Sequence, residues 1–235
     1  MAGDPGRVLT GRSHVLVDLD GTLSDSEPGI SSSLRRALAL EGLPVPDDDV
    51  LRQAIGPPFE LGLPLIGVPG DRLWAVIEHY RERYEDGGLF ETTLYDGVVE
   101  MLDALRTHGL ALALATAKPE VTARRVVEHL GLADRFAVLA GATFEPGRRT
   151  KAEVIGHALR ELDIEAGPHV VMVGDRDHDV HGAQVHGIDS VGVLWGYGGE
   201  AELKLAGATA LAATPADVVA LLTGRVTDGR SRALA

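Results

Sequence analysis

The chain has 235 residues, enough for one sizeable core or a core with a small second domain. Its formal charge of −13 argues against a nucleic-acid binder, and no apolar run is long enough to span a membrane. The absence of cysteine excludes disulfides and thiolate chemistry; with no apolar stretch resembling a secretion signal near residue 1, a cytoplasmic location is expected.

Residues 1–12 and 224–235 are rich in Gly, Arg and Ala without apolar periodicity, and are expected to be disordered tails. The first strand is expected at 14–19, HVLVDL, and it runs directly into Asp18-Leu19-Asp20-Gly21-Thr22. Side chains two apart on a strand point the same way, so Asp18 and Asp20 would share a pocket at the carboxyl edge of a sheet. Two close anions need compensation, which a divalent cation can supply. A carboxylate can also attack phosphorus, and a second one can protonate the leaving oxygen and then activate water. Gly21 permits a tight turn beside them.

From 26 to 92 the pattern is helical, in ISSSLRRALALEG, DDDVLRQAIG and DRLWAVIEHYRERYEDG, interrupted by GPPFELGLPLIGVPG. This predicts a small all-α domain inserted after the first strand, closing through hinges near 24–28 and 90–95. Gly56, Pro57 and Phe59 are its candidates to face a leaving group. The same stretch also reads as a helix–helix turn with Phe59 in the insert's own core. Trp74 and Tyr80 share helical spacing with Ile77 and Tyr84, which reads as packing.

Beyond 93, strands at 110–116, 136–141, 169–175 and 188–194 alternate with helices at 96–109, 120–131, 150–163 and 179–187. The alternation predicts an α/β fold with a doubly wound, Rossmann-like parallel sheet, binding its ligand beyond the carboxyl ends of the strands. Three further strand ends carry chemistry. LALALAT ends at Thr116, a hydroxyl donor or a helix cap, followed by Ala117-Lys118-Pro119. Lys151 opens the helix after the third strand, and HVVMVGD ends in Gly174-Asp175 with Asp177 and Asp179 behind it. The chain has only three lysines, and two of them, Lys118 and Lys151, fall at these loops. His178, His181 and His186 lie on or beside one surface helix and are not read as a metal site.

As a set, Asp18-x-Asp20-Gly21-Thr22, then Thr116, Lys151 and Gly174-Asp175-x-x-x-Asp179 resemble the haloacid dehalogenase superfamily over about residues 13–223. The chain is similar to the phosphoglycolate-phosphatase-like branch, which carries a helical cap after the first strand. IGPPFE and GVLWGYGGEAEL share that likeness. The resemblance implies a core formed by 13–25 and 93–223 and a cap formed by 26–92. It makes Asp18 the nucleophile and a Mg²⁺ ligand. Asp20 becomes the general acid/base and lends its backbone carbonyl to the metal. Thr116 would bind the transferring phosphoryl group, with Thr22 and a backbone N–H at Ala117 nearby. Relatives often carry Asn or Ser where Ala117 stands. Lys151 would hold Asp18 and neutralise phosphate, Asp175 would ligate Mg²⁺, and Asp179 would bind the metal or one of its waters.

The implied activity is Mg²⁺-dependent hydrolysis of a small-molecule phosphate monoester through an aspartyl-phosphate, by a monomer that binds neither nucleic acid nor membrane. A sugar-phosphate mutase is the alternative, and a non-catalytic phosphate-binding regulatory module a second one. Dehalogenation is disfavoured by Asp20, and phosphonate hydrolysis by the lack of lysine in the insert. A sugar phosphate, a nucleotide and a natural-product phosphate all fit. The arginine-rich composition and overall likeness extend to an antibiotic-pathway phosphatase, which would imply a C-ribosyl polyketide phosphate.

Overall fold

The computed structural model describes residues 9–56, 58–143 and 147–224. Its strands are β1 (His14–Val17), β2 (Ser24–Asp25), β3 (Thr93–Leu94), β4 (Ala111–Pro119), β5 (Val138–Ala142), β6 (Val170–Gly174), β7 (Asp189–Val193) and β8 (Ala210–Ala212). The helices are α1 (Glu27–Leu40), α2 (Asp48–Leu51), α3 (Phe59–Leu65), α4 (Leu73–Glu85), α5 (Val98–Thr107), α6 (Glu120–His129), α7 (Lys151–Glu161), α8 (Asp177–Val185), α9 (Glu200–Ala206) and α10 (Pro215–Thr223). No helix among the described residues is long and apolar enough to cross a membrane.

Six strands form one sheet in the order β5-β4-β1-β6-β7-β8, every pair parallel. The continuous apolar runs follow from burial on both faces. Val15, Val17, Leu112, Leu114, Val171 and Val173 point into one core with α5, α6 and α10. Leu16, Ala113, Ala115 and Met172, one residue out of phase, point into the other with α7 and α8. Each large side chain so buried is worth about 1.5–3 kcal/mol. From β1 the chain builds β4 and β5 on one side and β6 to β8 on the other. The crevice beyond the carboxyl end of β1 is therefore the topological switch point, where such sheets bind ligands.

Helices α1 to α4 are inserted between β2 and β3, whose antiparallel pairing sets Ser24 opposite Leu94 and Asp25 opposite Thr93. Their apolar faces join the same cluster as one face of the sheet. The stretch expected to interrupt this helical segment contains α3, because Phe59 and Leu63, one turn apart, both pack inward. The tail expectation fails at 9–12: Leu9 is buried, its N–H bonds Leu221 O at 2.8 Å, and Arg12 pairs with Asp189. The rest of that expectation, apart from Gly224, which caps α10, lies outside the described residues. β8, α9 and α10 extend the fold past the last predicted strand. β8 has only three residues, two of them alanine, too few to show a period; α10 had a legible start in Thr214-Pro215-Ala216-Asp217, a capping box with Pro at the first turn.

Candidate active site

Asp18 follows directly on β1, its N–H bonded to Val173 O of β6 at 2.9 Å. Lys151 reaches it from the first residue of α7. That helix start is fixed by a capping box: Thr150 accepts from Glu153 N, and Glu153 Oε2 accepts from Thr150 N at 2.9 Å. The lysine stem passes over Gly182 of α8, where a Cβ would lie 2.8 Å from Lys151 Cγ. The ammonium then stands 2.8 Å from Asp18 Oδ1, 2.8 Å from Asp179 Oδ1 and 3.0 Å from Ala115 O. Burial works against that charge, but the two carboxylates outweigh it and hold the Lys151 pKa above its ordinary value. Burial raises Asp18 against the pull of Lys151. Burial also acts to raise Asp179, but Lys151 and His178 outweigh it and leave the carboxyl low.

Asp175 follows β6 and is completely buried. Its Oδ1 accepts from Thr22 Oγ1 at 3.2 Å and its Oδ2 from Tyr197 N at 2.8 Å. A Cβ on Gly21, Gly196 or Gly198 would collide with this residue, which explains both glycine clusters. Burial, with Asp179 and Asp18 nearby, pushes Asp175 up to about 7. Thr22 was expected to touch substrate. It is buried and its hydroxyl is spent on Asp175, so it supports a carboxylate instead.

Asp20 lies beyond β1, next to Gly21 at φ +77°. Its Oδ2 is 3.1 Å from Lys118 Nζ, while Oδ1 is buried without a hydrogen-bond partner among the described residues. Lys118 also donates to Tyr84 OH of α4 at 2.7 Å. Burial opposes its charge, but Asp20 and Tyr84 prevail, so its pKa is raised. Thr116 is buried in the bulged end of β4, its Oγ1 accepting from Lys118 N at 3.2 Å. Asp18, Asp20, Thr116, Ala117 and Lys118 line a cavity of about 260 Å³.

The inserted helices form the opposite wall through Gly56, Phe59, Trp74, Tyr80 and Tyr84. Pro57 lies outside the described residues. Phe59 lines the cavity and also packs edge-on against Tyr80, centroids 4.4 Å apart. Tyr80 and Tyr84 are buried, as packing predicts, whereas Trp74 is 58% exposed. Arg149 pairs with Glu60, and Arg176 donates to Ile55 O, tying the insert to the loops of the sheet.

Of the four acidic residues expected to hold a metal, Asp18 and Asp179 come together, with His178 as the third member of the group. The ligand atoms of Asp18, His178 and Asp179 lie within 4.8 Å of one another. That side is already served by the Lys151 ammonium, and His178 is raised: burial lowers it, but Asp179 and Asp177 outweigh the effect. Burial, with Asp179 and Asp18 close by, raises Asp175, so this buried acidic group is short of compensating positive charge. Carboxylate and carbonyl oxygens are hard donors, and this charge deficit suits a divalent cation beside Asp18 and Asp175. Lys118, Tyr84 and Tyr197 had been given no role in the site. Lysine scarcity was the signal for the first, and Tyr197 falls in GVLWGYGGEAEL, which shared the family likeness; Tyr84 was read only as packing.

The fold and this set of strand-end residues define a haloacid dehalogenase-type hydrolase site. The family model for haloacid dehalogenase-like hydrolases matches residues 15–193, and the chain belongs to that family. It is 46% identical over 184 residues to the tyrosine-protein kinase PtkA of Mycobacterium tuberculosis, covering 78% of this chain and 62% of that protein. The chain thus spans less than two thirds of PtkA. It is 39% identical over 192 residues to a 5'-nucleotidase of Pseudomonas aeruginosa (81% and 86% covered). With a phosphoglycolate phosphatase of Xanthomonas campestris it shares 32% identity over 185 residues (78% and 83% covered). A crystal structure of a predicted phosphatase from Clostridium acetobutylicum superimposes with a TM-score of 0.83 at 33% identity, covering 88% of this chain and 96% of that one.

Proposed function

We propose that the protein is a Mg²⁺-dependent phosphatase of small phosphate monoesters that works through an aspartyl-phosphate on Asp18. The observation that carries this is the pairing of roles at the switch point. Asp18 is held by Lys151 at 2.8 Å, and Asp20 beside it keeps a buried oxygen with no partner among the described residues. Asp18 and Asp175, with the Asp20 carbonyl, would hold Mg²⁺, which supplies charge neutralisation at the phosphoryl oxygens. Asp18 attacks phosphorus while Asp20 gives a proton to the leaving oxygen. Asp20 then takes a proton from water as that water attacks the aspartyl-phosphate, releasing phosphate and freeing Asp18. Lys151 fixes Asp18 and faces the phosphoryl charge. Thr116 offers its hydroxyl proton to the same group. The inserted helices act as a cap, excluding water and shaping the leaving-group side.

The aromatic wall favours an apolar or aromatic leaving group. None of the relatives above points to a C-ribosyl polyketide. The 46% identity to a protein named as a tyrosine kinase favours a second acceptor, a hydroxyl in place of water. The test is release of phosphate from p-nitrophenyl phosphate with and without Mg²⁺, in the wild type and in Asp18→Asn. A wild type inactive with Mg²⁺, or an active Asp18→Asn, would refute the reading. Including a tyrosine-bearing peptide in the same assay, analysed by mass, reports transfer to a hydroxyl.

A further inference from the structure

The two buried lysines divide the site between them. Lys151 serves Asp18 and Asp179, whereas Lys118 touches neither and is committed to Asp20 at 3.1 Å and to Tyr84 OH at 2.7 Å. The ammonium of Lys118 also lies 4.8 Å from the centre of the Tyr84 ring. Tyr84 stacks on Tyr80 at 5.1 Å, and Tyr80 meets Phe59 at 4.4 Å. An aromatic column of the inserted helices therefore ends on a lysine at the bulged end of β4, and that lysine ends on Asp20.

We infer that Lys118 is a positioning residue for the proton donor: it pins Oδ2 of Asp20, Tyr84 of the insert completes its hold, and Oδ1 is left for the oxygen of the departing group. The inference rests on the phosphatase reading above and adds to it a link between the insert and proton transfer. In the step concerned, a bond forms between an Asp18 oxygen and phosphorus as the ester P–O bond breaks. The proton on Asp20 Oδ1 passes to the leaving oxygen, which departs as a neutral alcohol or phenol. Negative charge returns to the Asp20 carboxylate facing Lys118, which keeps its own protons throughout. A fixed cation at that point favours the step without touching substrate. When the insert swings away, Tyr84 leaves and Lys118 loses one of its two partners. Proton donation is then strongest with the cap docked.

The test is a series of aryl phosphates graded from p-nitrophenyl phosphate, whose leaving group needs little help, to phenyl phosphate, whose leaving group needs a proton. For Lys118→Met, kcat/KM on phenyl phosphate is expected to fall about 30-fold or more, within the range of lost general-acid assistance, against less than about 5-fold on p-nitrophenyl phosphate. Lys118→Arg, which keeps the charge, restores most of the difference. Tyr84→Phe, which removes one hydroxyl and leaves the ring, shifts the series the same way by a smaller factor and covers the case in which Lys118→Met does not fold. Equal losses on every ester, or no change in the slope for either variant, overturn the inference. An inactive wild type instead sinks the phosphatase reading, so the two failures are told apart.

Discussion

The ammonium of Lys151 lies 2.8 Å from Oδ1 of Asp18, and the two side chains are 2% and 6% exposed. An ion pair so enclosed is costly to break from one side, because the remaining charge has no water to turn to. Lys151→Met should cost about 3–5 kcal/mol of stability. Asp18→Asn, which removes a carboxylate that burial disfavours, should leave the metal-free melting temperature unchanged or higher. Both should lower kcat by about three orders of magnitude or more. Thermal melts beside phosphate-release assays check the contrast; equal melting of the two variants would contradict it.

The acidic cluster sets a pH dependence for the metal-free protein. Asp175 is held at about 7, and Asp18 is raised as well. Between the ordinary carboxylate range and about 7, the folded chain binds more protons than the unfolded one, so stability falls as pH rises. Asp179, held low, acts in the opposite sense, but only below the ordinary carboxylate range. Melting in EDTA should therefore drop by roughly 5 °C or more between pH 5 and pH 8, and saturating Mg²⁺ should recover most of it at pH 8. A flat profile in EDTA would remove the charge argument for a divalent cation.

The Gly196-Tyr197-Gly198 loop ties Asp175 to the base of the insert. Tyr197 OH accepts from Ser26 N at 2.8 Å and Glu27 N at 3.0 Å and donates to Asp25 at 3.0 Å, while its own N–H serves Asp175. Tyr197→Phe strips partners from the first turn of α1 and should cost about 1–3 kcal/mol. Gly198→Ala drives a Cβ into the Asp175 backbone carbonyl. It should cost a similar amount, about 1–3 kcal/mol, and weaken Mg²⁺ binding measured by calorimetry.

At Gly56 the insert approaches α8: a Cβ there would lie 2.8 Å from His178 Cε1, and φ is +111°. Gly56→Ala combines strain with a clash, and both are relieved if the insert backs away. KM for an aryl phosphate should rise several-fold, about 3- to 10-fold, with a smaller change in kcat and little in melting temperature. A fall in kcat alone would place Gly56 outside substrate closure.

Much of this arrangement was legible in residue order. Continuous apolar runs ending in Asp18, Thr116 and Gly174-Asp175 told both that these strands are buried and that their ends carry chemistry. The helical pattern over 150–163 placed Lys151 at the start of a helix. Illegible were the Lys118–Asp20 contact, which needs β4 paired beside β1, and the Lys118–Tyr84 contact, which forms only when the insert docks. The Thr22 hydroxyl was misjudged for a similar reason, since its partner Asp175 arrives on β6 from the far side of β1.

The sequence by itself determined which side chains stand at the carboxyl edge of the sheet. That follows from local periodicity, since alternation along a strand and the cap of a helix are settled within a few residues. Tertiary structure alone decided which cation serves which carboxylate. Strand order put Lys151 between Asp18 and Asp179, and the packing of an inserted aromatic column brought Tyr84 to Lys118. Such choices depend on which distant surfaces exclude water together, and no short stretch of chain records that.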